Sequence, residues 1–285
     1  MAPDRRAEWD AAHMKKLEVR QFLQASADVK GWFFPIDAAL FGAVDEVQKL
    51  EGIQGNFFEI GVHHGKSTIL MARSLREGER LGVCDIFEDQ SQNRDASGKG
   101  DRDIFLGHMR NHAKMGEGDM RVFAKSSQDL SLEDTTDKVR FFHIDGGHWP
   151  EIVLSDLIAA DKALLPGGVI AVDDVFNPSW PGVGEGFYRF MHEHPGRLVP
   201  LIIGANKIFL ARSDFVPTFR KYATPAKEFA KMLDAGPFSF EDKEWLGQHV
   251  LTAVRHAWVD IQPMRAALSY LGAAQGKPLR ELLRR

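Results

Sequence analysis

The sequence predicts an α/β fold with a mostly parallel sheet that ends in an antiparallel hairpin. From Asn56 onward, short apolar runs alternate with helical segments, which is the pattern of parallel strands joined by helices. The runs are apolar almost throughout, as expected for strands that are covered on both faces. Two further apolar runs, residues 196–204 and 206–214, are separated by Ala205 alone. This short connection predicts the closing hairpin.

Five strands and three intervening helices are predicted for the parallel part. The strands are NFFEI from Asn56, RLGVCDI from Arg80, MRVFAKS from Met120, VRFFHID from Val139 and GVIAVDD from Gly168. The helices cover residues 67–77, 102–115 and 150–165. Before the sheet, residues 5–23 are predicted to form a polar helix, and a Pro-interrupted turn from Gly31 leads into an amphipathic helix.

This pattern divides the chain into three parts: an N-terminal helical segment at 1–50, a core at 51–214 and a C-terminal helical extension at 215–285. Within the extension, residues 244–258 place Trp245, Leu246, Val250, Val254 and Trp258 at near-helical spacing. The extension could cover the core or the active site, or form the interface of a homo-oligomer. The sequence leaves these alternatives open.

The composition limits the kinds of binding partner and the cellular compartment that we expect for this protein. The 285 residues are 44% hydrophobic, and 36 basic against 40 acidic residues give a formal charge of -4. This balance lacks the basic excess that nucleic-acid binding requires, so we expect a small-molecule substrate. We find neither a signal peptide nor an apolar run of membrane-spanning length, and therefore expect a cytoplasmic protein. The single cysteine, Cys84, excludes an intramolecular disulfide framework and a thiolate zinc site.

The strongest motif is FEIGVHHGKS at 58–67, a strand that runs into a glycine-spaced turn and a helix. Gly61 and Gly65 would let the backbone approach a ligand, and Ser67 could cap the helix. The next strand ends in Asp85, about twenty residues further on, where a carboxylate can accept hydrogen bonds from a ribose diol. Because the GxxxxGK[ST] phosphate loop is absent, an adenosyl ligand without a pyrophosphate fits better than a nucleotide.

Three carboxylates follow the last two parallel strands. Asp145 ends one strand, and Asp173 and Asp174 end the next, so all three should meet at the carboxyl edge of the sheet. Carboxylates in one cleft repel each other unless a cation or a shared proton intervenes. Oxygen ligands suit a hard ion such as magnesium. The pattern therefore predicts a divalent metal site, although Asp173 or Asp174 could instead cap the following segment.

Two neighbouring features admit more than one role. His148, after a Gly-Gly turn, could be a general base, could position a cofactor, or could cap the following helix. Trp180 could form a wall of the acceptor pocket or pack on the core. The long polar segment at 88–103 is predicted to be a mobile lid, since it follows a strand end on the ligand side of the sheet.

Taken together, FFEIGVHHGKST, VCDIFEDQ, FFHIDGGHWPEIVLSDL and LLPGGVIAVDD resemble class I S-adenosylmethionine-dependent methyltransferases, which have a Rossmann-like core. The IDGGH segment is most similar to small-molecule O-methyltransferases that include the macrocin and mycinamicin sugar enzymes. The resemblance covers residues 31–212.

The resemblance implies a set of site residues. Those implied to bind S-adenosylmethionine are Glu59, Gly61, Val62, Gly65, Ser67, Asp85, Phe87, Ser127 and Asp145, with Asp85 at the ribose and Ser127 at the adenine. Mg²⁺ or another divalent cation would be held by Asp145, Asp173 and Asp174. The sugar enzymes lack the histidine of IDGGH, so the catalytic base is either Asp145 or His148.

We therefore expect metal-assisted methylation of a hydroxyl on a sugar or natural-product type of small molecule. Three alternatives remain: a metal-independent methyltransferase with His148 as base, an NAD(P)-dependent oxidoreductase, and a noncatalytic module that binds a partner.

Overall fold

The computed structural model describes residues 21–255, apart from 95, 136–137, 225, 227–228, 230–232 and 234–237. In chain order its helices are α1 (Pro35–Leu50), α2 (Lys66–Arg73), α3 (Arg102–His108), α4 (Leu132–Thr135), α5 (Pro150–Ala163), α6 (Pro181–Glu193) and α7 (Phe215–Ala223). Its strands are β1 (Asn56–Ile60), β2 (Leu81–Asp85), β3 (Arg121–Ala124), β4 (Val139–Ile144), β5 (Leu164–Asp173), β6 (Val199–Ile203), β7 (Lys207–Ala211), β8 (Phe238–Trp245) and β9 (Gln248–Arg255).

These strands form one sheet of order β3-β2-β1-β4-β5-β7-β6-β9-β8. Strands β1 to β5 are parallel, and β7 runs antiparallel to both β5 and β6. The predicted α/β class, the five parallel strands and the β6–β7 hairpin are confirmed. The hairpin does not end the sheet as predicted, because β9 and β8 follow β6.

Alternate residues of the central strands face two separate cores. Phe57 and Phe141 pack with α1 and α2 on one face, whereas Phe58 and Phe142 pack with α5 and α6 on the other. Because successive side chains of a strand point to opposite faces, an adjacent pair of phenylalanines serves both layers. This explains why the strand sequences are apolar throughout.

The prediction of a helix over residues 244–258 is wrong for residues 244–255, which are the part of this range that the structure describes. Residues 238–255 form the β8–β9 hairpin, whose turn contains Leu246 and Gly247 with φ of 53° and 68°. The open edge of β6 pairs with β9 and so selects strand over helix, and Val250 and Leu251 become buried. The part of the C-terminal extension after Arg255, which includes Trp258, lies outside the described residues. So does the predicted helix at 5–23, except for its last three residues.

Helix α1 fixes the turn between β6 and β7. The buried carboxylate of Asp37 accepts hydrogen bonds from the backbone N–H groups of Ala205, at 2.9 Å, and Asn206, at 3.2 Å. A Cβ atom on Gly204 would lie 2.0 Å from Asp37 Oδ1, so the close approach requires glycine. This contact sets the position of the residues that begin β7. None of the described helices is long and apolar enough to cross a membrane.

Candidate active site

A cleft of about 740 Å³ opens at the carboxyl ends of the parallel strands. Its walls come from the segments that follow β1, β2, β3, β4 and β5, together with residues 30–34 and part of the polar segment at 90–100. Ligands of open α/β sheets bind at this edge. The cleft therefore contains the turn, the acidic strand ends and the histidine that the sequence singled out.

The glycine turn after β1 is held by backbone hydrogen bonds to both neighbouring strands. Gly61 N–H donates to the carbonyl of Cys84, and Asp145 N–H donates to the carbonyl of Ile60, each at 2.8 Å. Gly61 has φ of 80°, and a Cβ atom there would lie 1.9 Å from the Asp145 carbonyl oxygen. Gly65, with φ of 93°, directly precedes α2. Contacts within the protein thus require glycine at both positions, since a Cβ atom on Gly65 would lie 2.9 Å from the Phe105 ring. Gly61 lines the cleft, whereas Gly65, also predicted to contact the cofactor, does not.

Glu59 lies beneath this turn and does not line the cleft. Its buried carboxylate accepts hydrogen bonds from the hydroxyls of Ser67 and Thr68, and is 2.7 Å from Nδ1 of His143. Ser67 does line the cleft, but its side chain does not cap α2, because the residue before the helix is Gly65 and no side-chain cap is formed. Glu59 therefore shapes the turn from behind.

Asp85 closes the cleft beside the turn. Its Oδ2 accepts hydrogen bonds from the N–H groups of Val62, at 2.8 Å, and His63, at 2.9 Å, and its Oδ1 accepts one from Phe87 N–H at 2.7 Å. Burial raises the pKa of Asp85, and these three hydrogen bonds oppose the rise. Val62 also lines the cleft, whereas the Phe87 side chain is buried in the core against Phe105.

Ser127 lines the cleft after β3, where it was predicted to lie. Its hydroxyl forms a hydrogen bond with Asp156 of α5, a carboxylate that is 1% exposed. Burial raises the pKa of Asp156 to about 7. The other carboxylate oxygen, Oδ2, has no hydrogen-bond partner. Asp156 thus holds Ser127 from below without reaching the cleft itself.

Asp145 and Asp173 come together at the strand ends with His143, one ligand atom of each lying within 4.8 Å of the others, whereas the predicted ligand Asp174 is outside this group. A cation from the chain itself also joins the two aspartates. The ammonium group of Lys207 contacts the Asp173 carboxylate directly and lies 3.7 Å from Asp145 Oδ2. Burial opposes the charge of Lys207, yet the carboxylates of Asp173, Asp145 and Asp37 raise its pKa above the ordinary value. Burial and then the charge of Asp173 raise the pKa of Asp145 well above its ordinary value.

Asp174 occupies a strained backbone position next to this group. It has φ of 62°, which is uncommon for a residue with a side chain and is typical of functional sites. Its Oδ1 accepts hydrogen bonds from the side-chain amides of Asn177, at 2.7 Å, and Asn206, at 2.8 Å. Asn206 also donates to Asp173 Oδ1 at 2.6 Å and so clamps the two aspartates together.

The imidazole of His148 is held from three sides. Its Nε2 is 3.4 Å from Asp174 Oδ2, and its Nδ1 is 3.1 Å from the Ser97 hydroxyl. The ring stacks on Trp180 at a centroid distance of 4.2 Å and an interplanar angle of 14°. Trp180 therefore forms a wall of the cleft, and the polar segment that carries Ser97 reaches across to the histidine. Burial opposes ionisation of Asp174, but hydrogen bonds from His148 and the two asparagines lower its pKa.

Exposed aromatic side chains surround the mouth of the cleft. Trp32, Phe34, Trp149 and Phe176 all line it and are 79%, 50%, 40% and 56% exposed. Trp149 also carries the guanidinium of Arg94 over its ring, at 4.3 Å. The entrance is thus apolar, whereas the interior beside His148 is polar.

Sequence reasoning missed Asn177, Asn206 and Lys207. The signal for Lys207 was present in the predicted hairpin. If residues 206–214 pair antiparallel with the strand that ends at Asp173, the first residues of the hairpin strand lie opposite the aspartate, as the Asp173–Lys207 register shows. Asn177 lies in an irregular loop, for which the sequence carried no such pattern.

Comparison with known proteins agrees with this geometry. Residues 58–175 match the model of a family described as a methyltransferase domain. The chain is similar in structure to the O-methyltransferase NovP, with a TM-score of 0.51 and 16% identity over 62% of this chain and 80% of NovP. Residues 58–175 of the core thus resemble a methyltransferase domain. The predicted class I fold and the predicted enzyme class are confirmed.

Two further structures are similar to this chain at lower scores. One is an O-methyltransferase from Bacillus cereus in complex with SAH, at 20% identity over 67% of this chain and 88% of that chain, with a TM-score of 0.45. The other is TomG from Streptomyces achromogenes in complex with SAM, at 19% identity over 68% of this chain and 87% of that chain, with a TM-score of 0.43. Among curated proteins, no sequence matches this chain.

Proposed function

We propose that this methyltransferase domain transfers the methyl group of S-adenosylmethionine to a hydroxyl of a small molecule of sugar or natural-product type. The observation that carries the proposal is the single cleft that joins the Gly61 turn and Asp85 to Asp145, His148 and Asp174. Its volume of about 740 Å³ suits small molecules. The aromatic rim offers an apolar surface to the part of the acceptor that does not react.

The residues around the turn fit an adenosyl group. A carboxylate has about four lone-pair positions. Three of those on Asp85 are used by backbone N–H groups, which leaves one for a ribose hydroxyl. Ser127 presents a polar group at the far end of the cleft, where we place the adenine. When bound there, S-adenosylmethionine supplies a methyl carbon that is open to in-line attack.

We assign proton removal from the acceptor hydroxyl to His148. The imidazole faces the cleft and is oriented by the stack on Trp180, and the Asp174 carboxylate, 3.4 Å from Nε2, stabilises the imidazolium. The proton is taken by Nδ1, so the acceptor hydroxyl must occupy the position that the Ser97 hydroxyl holds, 3.1 Å from this nitrogen. Asp145 is 28% exposed at its side chain and borders the same space, so it can accept a hydrogen bond from the acceptor hydroxyl and orient it. The alternative, Asp145 as the base, is disfavoured by the Lys207 ammonium 3.7 Å from its Oδ2, which stabilises the carboxylate and so opposes uptake of a proton.

The carboxylates also fit a divalent cation. Asp145, Asp173 and Asp174 carry three formal negative charges and Lys207 compensates one, so an excess of two remains on hard oxygen ligands. We propose that these aspartates hold Mg²⁺ or a similar ion, which when bound acts as a Lewis acid that lowers the pKa of an acceptor hydroxyl.

A metal-independent reaction is the second candidate. The observation that favours it is Lys207, which already supplies a cation to Asp145 and Asp173. In this case turnover would survive a strong chelator, and His148 would carry the reaction without help from an ion.

Isothermal titration calorimetry with S-adenosylhomocysteine and, separately, NADH tests the central proposal. We expect binding of S-adenosylhomocysteine and none of NADH. Asp85→Asn should weaken the binding at least about tenfold, because it removes the charge that holds the turn and meets the ribose. Asp89→Asn, an exposed aspartate of the neighbouring loop, is the matched control and should bind normally. Well-folded protein that binds NADH instead would identify an oxidoreductase, and protein that binds neither ligand would support a noncatalytic module.

Three further expectations remain predictions. They are a cytoplasmic location, the absence of nucleic-acid and membrane partners, and homo-oligomerisation through the C-terminal part of the chain. Light scattering on the purified protein measures the last of these directly.

A further inference from the structure

We propose that Lys207 is a built-in counter-cation that competes with a divalent ion for the carboxylates, so that the ion is bound weakly and exchanges freely. The inference rests on the proposed function, because it concerns the same metal site. It assigns a role to a residue outside the predicted ligand set.

The strand register fixes the ammonium group in this place. Asp173, the last residue of β5, pairs with Lys207, the first residue of β7, in the antiparallel ladder. The Lys207 side chain is 2% exposed and is directed to Asp173 and Asp145. The turn before Lys207 is fixed by Asp37 of α1, whose carboxylate accepts hydrogen bonds from the N–H groups of Ala205 and Asn206. The ammonium is therefore a fixed part of the fold.

A set of potential metal ligands surrounds the same space. One ligand atom from each of His143, Asp145 and Asp173 lies within 4.8 Å of the others. Nδ1 of the fully buried His143 is engaged with Glu59, and its Nε2 has no hydrogen-bond partner. One nitrogen and two carboxylates form a ligand set that suits first-row divalent metals. In the native protein the Lys207 ammonium contacts two members of this set.

The charge of Lys207 has a direct consequence for metal affinity. Two cations separated by a few ångströms in a partly buried site repel each other strongly. A divalent ion must then bind the carboxylate oxygens on the side of Asp174. Repulsion from the nearby ammonium weakens this binding. Removing the ammonium leaves the inner set free to bind an ion that takes both nitrogen and oxygen ligands.

Mn²⁺ titration followed by electron paramagnetic resonance tests this inference. Wild type, Lys207→Met and the exposed control Lys243→Met are compared, since both variants lose one positive charge. We expect Lys207→Met to bind Mn²⁺ at least about tenfold more tightly than the other two. Its melting temperature should be low without metal and should rise by several degrees with Mn²⁺, because the ion replaces the missing charge.

Equal Mn²⁺ affinity in wild type and Lys207→Met would overturn the inference. If Lys207→Met does not fold, Lys207→Gln, whose amide can still donate to Asp173, carries the same expectation. Calorimetry with S-adenosylhomocysteine on the same samples separates the two proposals. Wild type that fails to bind this ligand refutes the adenosyl site, whatever the Mn²⁺ comparison shows.

Discussion

At the scale of single residues, the orientation of the His148 side chain depends on neighbours that the sequence alone does not place beside it. Asp174, Ser97 and Trp180 each restrain the ring from a different side. The sequence left its role open between base, cofactor contact and helix cap. It could not choose, because all three neighbours are distant in the chain and only the fold brings them to the imidazole.

Replacement of His148 by alanine should lower kcat by about 10² to 10⁴, the usual contribution of a positioned general base. Affinity for S-adenosylhomocysteine should change little, since we propose that the Gly61 turn and Asp85, not His148, hold the adenosyl group. Steady-state kinetics and calorimetry measure the two effects separately. His192→Ala, on the exposed side of α6, should be fully active. An unchanged kcat in His148→Ala would return the base role to Asp145.

Asp156 should make the fold less stable as the pH rises. Its folded pKa of about 7 lies above the ordinary 3.8, so the folded state keeps a proton that the unfolded state loses. By linkage, the free energy of unfolding then falls by up to about 4 kcal/mol between pH 4 and pH 7. Asp156→Asn should make this slope shallower in melting experiments over that range. Asp37, whose pKa burial raises to about 6, contributes a slope of the same sign that remains in the variant.

Asp134→Asn provides a control of opposite sign for this pH effect. Hydrogen bonding from Lys125 lowers the pKa of Asp134 to about 2, so its contribution is lost only as the pH falls through the acid range. Between pH 5 and pH 7, Asp134→Asn should follow the wild-type slope. Parallel slopes for wild type and Asp156→Asn would show that Asp156 is ionised in the folded protein.

At the scale of elements, the turn after β1 depends on the absence of a side chain. Gly61→Ala should lower the free energy of unfolding by more than about 2 kcal/mol, since its Cβ would meet the Asp145 carbonyl oxygen and its φ is positive. Gly52 also has a positive φ, of 69°, but no atom lies within 4 Å of the Cβ that Gly52→Ala would add. It should cost about 1 kcal/mol. Chemical denaturation compares the two; equal losses would show that strain alone matters.

The β8–β9 hairpin can be distinguished from the helix that the spacing predicted. Gly247 has φ of 68° and open space around it, so Gly247→Ala should destabilise the turn by about 1 kcal/mol. In a helix the same change would stabilise by a similar amount. The sign of the shift in melting temperature therefore decides between the two structures.

This hairpin shows where periodicity misleads. Val250 and Val254 fit a helical face, but Val250 and Leu251 are also buried on the two faces of a strand. The decisive partner, the free edge of β6, lies about fifty residues away. In contrast, β1 to β5 were predictable because strands covered on both faces must be apolar at every position.

At the scale of the whole molecule, catalysis and folding should respond differently to metal removal. If the ion assists the reaction, a strong chelator should reduce kcat at least about 100-fold. The melting temperature should change by no more than about 1 °C, because Lys207 still compensates Asp145 and Asp173. Activity assays and thermal melts with and without chelator test both parts. Full turnover under chelation would establish the metal-independent reaction.

The sequence predicted several of the polar residues that line the cleft, but not their charge balance. Gly61, Asp85, Asp145, His148, Asp173 and Asp174 all meet there. Repulsion among the carboxylates indicated that a cation or a shared proton is needed. It could not indicate that the chain supplies one, because Lys207 belongs to an antiparallel strand whose register with β5 is set by tertiary pairing.

The cross-strand pairing of Asp173 with Lys207 has a consequence for engineering acceptor range. A shift of the β6–β7 hairpin by one residue would turn Lys207 to the opposite face of the sheet and expose the aspartates to one another. Insertions at 204–206 should therefore be poorly tolerated in any library of variants. The described residues of the segment at 90–100 belong to no strand of the sheet. Diversity introduced there, with Ser97 kept because it contacts His148, should reshape the entrance while the charge balance stays intact.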